Sequence, residues 1–174
     1  MAVLPIRTFG DAVLKERCLE VERVDDDLKR LVRDMVDTLP VPGGAGLSAN
    51  QIGVVKRVFI YENDDGVIET CINPQIISNS QDAEEELEGC LSLPGIGVPV
   101  PRYKSLQLRY LDMEGETQLV ETEGWIARVF QHEIDHLDGK LILDRTDRGS
   151  RVEAIKALQS HQARYLPQDE RHIL

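Results

Sequence analysis

Residues 124–138 read GWIARVFQHEIDHLD and predict a helix that carries a metal-binding pattern. At 100° per residue, one side of this helix carries Trp125, Val129, His132 and His136. Another side is apolar and carries Ile126, Phe130, Ile134 and Leu137. Gly139 follows as a typical C-terminal stop. Because much of its circumference is apolar, we expect the helix to lie in the middle of the domain.

Two histidines at i and i+4 on one helix face, His132 and His136, can direct both imidazoles at one metal ion. Glu133 stands beside the first of them, near enough to handle a proton. Asp135 and Asp138 are available to orient the ligands, and simple solvent exposure is an equal alternative for both. The stretch therefore predicts a metal site with an acid–base residue next to it.

A catalytic metal site needs a third protein ligand and one position open to water. The downstream candidates form no recognisable pattern; they are Asp144, Asp147, Glu153 and His161. Upstream, residues 88–92 read EGCLS, and a Cys90 thiolate on a neighbouring strand or loop could reach the helix. Gly89 favours close backbone approach there. From the sequence alone Cys90 stays ambiguous, because a free cysteine is often an inert buried residue.

Length and composition indicate one globular domain, residues 1–174, with 41% hydrophobic residues to form a core. The net charge of −11 argues against broad binding to nucleic acid or to an anionic membrane. The cysteines, without a Cys-x-x-Cys pair, exclude a disulfide framework and favour a reducing, cytosol-like compartment; they are Cys18, Cys71 and Cys90. Neither a signal-peptide pattern nor an apolar run of roughly 18 residues occurs. We therefore expect a cytoplasmic protein, with an organelle form that has lost its presequence as the alternative.

Apolar spacing predicts a helix over residues 25–39, which Pro40 and Pro42 end. A loop of small residues is predicted over 43–51, and a final helix over 150–165. The strands, in two pairs separated by turn residues, are predicted over 54–61, 71–77, 105–111 and 117–122.

Three segments resemble the motifs of the peptide deformylase family, in its order and approximate spacing. They are GAGLSANQ at 44–51, EGCLS at 88–92 and QHEIDH at 131–136. The similarity covers about residues 4–145, which leaves 146–174 as a C-terminal helical extension. Ser48 departs from the alanine usual in the family, and Trp125 and Arg128 depart from the aliphatic residues that some members carry. Arg128 is thus either part of an altered pocket wall or a plain surface ion-pair residue.

The resemblance implies an enzyme that removes the formyl group from the N-terminal formyl-methionine of newly made polypeptides and releases formate. It implies one divalent metal ion, Fe²⁺ in the cell, with Zn²⁺, Ni²⁺ or Co²⁺ as alternatives in the purified protein. The implied ligands are Cys90, His132 and His136, and the implied general base is Glu133.

The family match also assigns residues to the substrate. The Gln51 side-chain amide and the Leu91 backbone N–H would donate to the oxyanion of the tetrahedral intermediate. Gly46 and Gly89 resemble positions whose backbone pairs with an extended peptide. The positions assigned to the substrate pocket are Ala45, Trp125 and Val129.

The fold implied is α+β, with antiparallel strands surrounding a central metal-binding helix, an N-terminal helix and a C-terminal helix. The implied partners are nascent formyl-methionine peptides, with no membrane and no specific nucleic acid. Some relatives dock on the ribosome through a basic C-terminal helix, and residues 145–174 carry six Lys or Arg against four Asp or Glu. A solvated helix face is the favoured interpretation of that segment, with ribosome docking as the alternative.

Three alternatives to a deformylase remain. A zinc endopeptidase built on the same His-Glu-x-x-His pattern would cleave internal peptide bonds and would not need Cys90. A domain with a structural metal would normally supply four protein ligands, and only three converge here. An inactive relative would have lost a catalytic residue, yet every matched catalytic position holds a competent one.

Overall fold

The computed structural model describes residues 3–39 and 44–159. Its helices and strands, numbered in chain order, are α1 Asp26–Thr38, β1 Gly46–Ser48, β2 Val58–Glu62, β3 Ile68–Asn79, β4 Ala83–Gly89, β5 Gly97–Tyr103, β6 Ser105–Leu111, β7 Thr117–Glu123, α2 Gly124–Leu137 and α3 Arg148–Gln159. Short 3-10 helices lie at Ala12–Lys15, Ala49–Ile52 and Ile142–Asp144. The predicted α+β class is confirmed.

Helix α1 begins where an aspartate caps it. The Asp25 carboxylate accepts a hydrogen bond from the Leu28 backbone N–H at 2.9 Å, which satisfies one of the free donors of the first turn. The apolar face predicted from the spacing is buried through Leu28, Val32 and Met35. The helix spans Asp26–Thr38, one residue shorter at each end than predicted, and Pro40 and Pro42 lie outside the described residues.

The larger sheet is antiparallel, with the strand order β1-β2-β3-β6-β7. The register of β3 against β6 is irregular between Ile72 and Gln75, where Asn73 is a non-glycine residue with a positive φ of 50°. The Asn73 side chain supports this conformation, because it donates to Val21 C=O and accepts from Val21 N–H, each at 2.8 Å. Both predicted strand pairs lie in this sheet.

Strands β4 and β5 form a separate two-stranded sheet that the sequence pattern did not predict. Glutamates fill most of β4, and β5 contains Pro99 and Pro101, so neither strand shows alternating polarity. The two prolines are two residues apart, so their missing N–H groups fall on the same edge of β5, away from β4. A two-stranded sheet leaves that edge unpaired, and the prolines therefore do not disturb it.

Helix α2 is the centre of the domain, as predicted. Every residue from Ala127 to Leu137 is buried. The helix contacts β1, β2, β6 and β7 of the larger sheet and β5 of the smaller one. The antiparallel strands therefore surround the helix that carries the histidines, and Phe130 packs edge-on against Tyr61 of β2.

The structure corrects the bounds or type of several predicted elements. The loop predicted over 43–51 contains β1 and a 3-10 helix at Ala49–Ile52, because its small residues pack closely against α2 rather than remaining in solvent. Strand β2 begins at Val58 rather than residue 54, and β3 extends to Ile68–Asn79. Helix α3 begins at Arg148, and the predicted end over residues 160–165 lies outside the described residues. Among the described helices, none is both long and apolar enough to cross a membrane.

Candidate metal centre and active site

Three buried side chains bring nitrogen and sulfur atoms together on α2 and just after β4. Cys90 Sγ lies 3.2 Å from His136 Nε2, which lies 3.2 Å from His132 Nε2. The three atoms all lie within 4.8 Å of one another, and each residue is buried. A thiol and two imidazoles that converge in this way form a donor set suited to zinc, iron, cobalt or nickel. The structure therefore contains a possible metal site at the predicted residues.

The other candidates for a third ligand do not join this cluster. Asp144 pairs with Lys15 at 2.6 Å, and Asp147 accepts from the Gly149 backbone N–H at 2.7 Å. Glu153 is exposed on α3. His161 lies outside the described residues.

Glu88 holds the imidazole of His132 in a ligand-like orientation. Its Oε2 lies 3.2 Å from His132 Nδ1, so an Nδ1–H donor leaves the Nε2 lone pair directed at the cluster. Burial acts to raise the pKa of the Glu88 carboxyl, but hydrogen bonds from His132 and Arg102 outweigh it and bring the pKa to about 2. Glu88 is therefore an ionised acceptor. The single sequence offers no sign of this role beyond the position of Glu88 in the EGCLS motif.

Two arginines complete the surroundings of the Glu88 carboxylate. Arg102 donates to both of its oxygens at 3.0 Å, and Arg128 donates to Oε1 at 2.7 Å. Arg102 also pairs with Asp135, whose second partner is Arg145. The sequence left two interpretations of Asp135, orientation of the proposed ligands or simple solvent exposure. The structure favours the first, because Asp135 pairs with Arg102, which in turn pairs with the Glu88 carboxylate beside His132. Asp138 is half-buried and pairs with Arg57 at 2.8 Å.

Glu133 is fully buried between α2 and β1. The Ser48 hydroxyl donates a hydrogen bond to its Oε2, and no described residue bonds its Oε1. Burial raises the pKa of Glu133 to about 7, against the lowering effects of His132 and of the Ser48 hydrogen bond. Gly46 makes room for the carboxylate, because a Cβ at Gly46 would lie 2.6 Å from Oε1. A carboxyl group with such a pKa can both accept and release a proton near neutral pH.

Gln51 and Leu91 flank the thiol of Cys90. Gln51 Oε1 accepts from the Ser48 backbone N–H at 2.9 Å, which fixes the orientation of the amide. Gln51 Nε2 then lies 3.3 Å from Ser92 Oγ and 3.9 Å from Cys90 Sγ. Leu91 follows Cys90 in a turn. A hydrogen bond of 2.9 Å from the Leu93 N–H to the Cys90 C=O closes this turn, and it does not use the Leu91 N–H.

Comparison with known proteins identifies this arrangement. A family model described as polypeptide deformylase matches residues 3–152. The chain belongs to the polypeptide deformylase family. The peptide deformylase of Dictyoglomus thermophilum is 44% identical over 140 residues, which cover 80% of this chain and 90% of that protein. The peptide deformylase of Natranaerobius thermophilus is 42% identical over 153 residues, which cover 88% of this chain and 98% of that protein.

Solved peptide deformylase structures share the fold. The enzyme from Ehrlichia chaffeensis in complex with actinonin has a TM-score of 0.86 and 36% identity, covering 93% of this chain and 99% of that one. The enzyme from Thermus thermophilus has a TM-score of 0.84 and 40% identity, covering 94% of this chain and 97% of that one. As a polypeptide deformylase, this chain is an enzyme that removes the N-terminal formyl group, and the endopeptidase alternative is not favoured.

Residues assigned to the substrate of this deformylase fall into two groups. Ala45 and Gly46 lie at and beside β1, the edge strand of the larger sheet, and Gly89 ends β4. Val129 is fully buried in the core, and Trp125 packs half-buried against the same core. In the first group, Gly46 and Gly89 are buried at their strand positions and Ala45 is half-buried, whereas both residues of the second group belong to the packing around one core cluster.

Arg128 is not the surface ion-pair residue that the sequence left open. It is only 5% exposed, and it donates to Val100 C=O at 3.0 Å and to Glu84 C=O at 2.8 Å. Arg128 also forms ion pairs with Glu86 and Glu88, and these contacts connect α2 to the β4–β5 sheet. Its burial is explained by these carboxylates and carbonyls, which leave the guanidinium fully paired.

Proposed function

We propose that the chain deformylates the N-terminal formyl-methionine of nascent polypeptides in the cytoplasm, with a divalent metal held by Cys90, His132 and His136. The observation that carries this proposal is the convergence of the three donors, together with the Glu88 carboxylate on His132 Nδ1 at 3.2 Å. When bound, such an ion supplies Lewis acidity that activates water for attack on the formyl carbonyl carbon. Fe²⁺ is the proposed metal in the cell, and Zn²⁺, Ni²⁺ or Co²⁺ fit the same donor set.

Glu133 is the proposed acid–base residue. It takes the proton from the attacking water and passes it to the leaving amine nitrogen as the formyl C–N bond breaks. The products are formate and a free N-terminal amine. Its pKa of about 7, raised by burial, suits both steps near neutral pH.

Gln51 and Leu91 are the proposed donors to the oxyanion. The Gln51 amide is held by Ser48 N–H through its oxygen, so its NH₂ group faces the cluster with Cys90. The Leu91 N–H lies next to Cys90 in the chain and is not used by the turn that contains it. Donors fixed in advance stabilise developing negative charge without reorganisation.

The substrate backbone is proposed to add to β1 as a further strand. Gly46 pairs with Tyr61 of β2 on one side, and among the described strands its other edge has no neighbour. Gly89 lies at the end of β4, directly before Cys90. Strand addition recognises main-chain shape, while a pocket formed in part by Ala45, Trp125 and Val129 receives the methionine side chain.

Release of formate from a formyl-methionine peptide tests this proposal. Metal-loaded protein should release formate and leave the internal peptide bonds intact, whereas a zinc endopeptidase would cleave the peptide and leave the formyl group in place. Because thiolate-bound ferrous iron near an open position reacts with oxygen, preparations made in air should regain turnover with anaerobic Fe²⁺ or with Ni²⁺. A zinc form that already matches the iron form in turnover would contradict the choice of iron.

Docking on the ribosome is a further proposal for residues 146–174. Within the described part of this segment, Arg148, Arg151 and Lys156 are exposed on α3, alongside the acidic Glu153. Exposed cations favour contact with RNA phosphates. Co-sedimentation of the full chain with ribosomes, compared with a chain ending at residue 147, distinguishes docking from a solvated helix face.

A further inference from the structure

The hydroxyl of Ser48 touches the proposed acid–base residue directly. Ser48 is fully buried at the end of β1, and its Oγ donates to Oε2 of Glu133. The backbone carbonyl of Glu133 lies 3.3 Å from the same Oγ, as a second acceptor. Among the described residues, Ser48 is the side chain whose hydrogen bond holds this carboxylate, since Oε1 has no partner.

We propose that Ser48 is a positioning residue for deformylation, which anchors one oxygen of Glu133 so that the other stays free for the proton. This inference rests on the acid–base role proposed for Glu133. Ser48 does not itself touch the reacting atoms. Alanine is the usual residue of the family at this position, so the anchor belongs to chains that carry a hydroxyl here.

The geometry of β1 explains how the anchor works. Alternate residues of a strand face the same side, so Gly46 and Ser48 both face Glu133 while Leu47 packs into the core on the other side. At Gly46 the strand offers no side chain, and Oε1 occupies the space that a Cβ would fill. At Ser48 it offers a donor to Oε2. The face of β1 that carries Gly46 and Ser48 therefore gives the two oxygens of the Glu133 carboxylate different surroundings.

The position of the hydroxyl is itself fixed. Ser48 pairs with Phe59 across β1 and β2, and its N–H donates to Gln51 Oε1 at 2.9 Å. Because the backbone of Ser48 is held in this way, its hydroxyl restricts rotation of the Glu133 carboxylate about the terminal side-chain bond. Without it, the terminal torsion of a glutamate is broad, and the two oxygens exchange places. Loss of the anchor should therefore lower the fraction of productive orientations and lower kcat, with substrate pairing along β1 unchanged.

The Ser48→Ala variant tests this inference, because it removes one oxygen atom and keeps the backbone contacts. We expect kcat for a formyl-methionine peptide to fall about tenfold, as for the loss of one charge-assisted hydrogen bond. KM and bound metal should stay within about twofold of the parent protein, because the three ligands and the strand edge are untouched. Thr38→Val is the matched control, since it removes a buried hydroxyl in α1 that bonds Leu4 N–H and Asp34 C=O instead. It should leave kcat unchanged.

A double-mutant cycle with Glu133→Ala separates positioning from a general structural effect. In the Glu133→Ala background, Ser48→Ala should leave the residual kcat unchanged, because the partner of the hydroxyl is gone. An unchanged kcat in Ser48→Ala, or the same fractional loss in both backgrounds, would overturn the role of Ser48 alone. Near-normal turnover of Glu133→Ala by itself would instead overturn the proposed function.

Discussion

Nδ1 of His132 lies 3.2 Å from Oε2 of Glu88, so a proposed metal ligand on the central helix contacts a carboxylate on the β4–β5 sheet. The Glu88 carboxylate is fully buried, and it forms ion pairs with both Arg102 and Arg128. Removal of any one partner would leave this buried charge less well compensated, which destabilises the fold. The histidine is thus held in orientation by the same contacts that hold the small sheet against α2.

Glu133→Ala should leave the metal content nearly unchanged, because the three proposed ligands remain. Glu133 follows His132 by one residue and is rotated about 100° around the helix, away from the ligand positions. Turnover should fall by about 10²–10⁴, as expected for the loss of a positioned general base. Metal analysis and kcat are the measurements, with the exposed Glu153→Ala as the control. Loss of metal along with activity would show that Glu133 is a ligand.

Cys90→Ala should lose most of its bound metal, since two imidazoles alone make an incomplete site. The control is Cys71→Ala, which removes a buried thiol that packs with Phe59 in a different core cluster from Cys90. Metal per chain, measured after dialysis, should drop in the first variant and stay at one equivalent in the second. A full equivalent retained by Cys90→Ala would favour the endopeptidase type of site.

Gly46→Ala should displace Glu133, because the new Cβ would lie 2.6 Å from its Oε1 and 3.0 Å from its Cγ. A shift of this kind at a proton-transfer group can cost about 10²-fold in kcat. Bound metal should stay normal. In the control Gly149→Ala, the added Cβ meets only the Asp147 carboxylate beside α3, at 3.1 Å, and turnover should be normal. Full activity of Gly46→Ala would refute the close approach.

Arg128→Met should destabilise the fold, because Glu84 and Val100 carbonyls and the Glu88 carboxylate lose a buried donor. Since Arg102 still neutralises Glu88, we expect the free energy of unfolding to fall by about 3 kcal/mol. The comparison is Arg30→Met, an arginine 61% exposed in its side chain, with an expected change below about 0.5 kcal/mol. Equal effects in urea unfolding would mean that the buried contacts of Arg128 contribute nothing.

Asp144 should make stability depend on pH in the acid range. Burial acts to raise its pKa, but the hydrogen bond from Lys15 and that from Leu141 N–H outweigh it and lower the pKa below 3.8. A lowered folded-state pKa stabilises the fold above the unfolded value, and the effect is lost as pH falls through the folded value. At pH 7, Asp144→Asn should therefore cost about 0.5–1 kcal/mol, screened by solvent. The difference from the parent chain should vanish below the folded pKa, and a constant difference across this range would contradict the assignment.

The predicted helices and the larger sheet were found because their signals are local. Three-to-four-residue spacing of apolar side chains is enough to place α1 and α2. The β4–β5 sheet was missed because its strands carry glutamates and prolines, which local propensity counts against a strand. These strands contact α2 through Arg128 and through the packing of β5, and neither contact can be predicted from nearby residues.

The sequence by itself identified the family and predicted the residues of the proposed metal site. His132, His136 and their neighbour Glu133 follow from helix periodicity, and three motifs in order identify a deformylase. Cys90 was an ambiguous candidate from the residues alone, and only the resemblance assigned it as the third ligand. The tertiary structure decided which groups surround these residues: Glu88 on His132, Ser48 on Glu133 and the arginines behind them. Ser48 and Glu133 are 85 positions apart, so only chain folding brings them together. Because a buried charge without a partner costs free energy, these polar contacts are needed to keep the charged side chains buried.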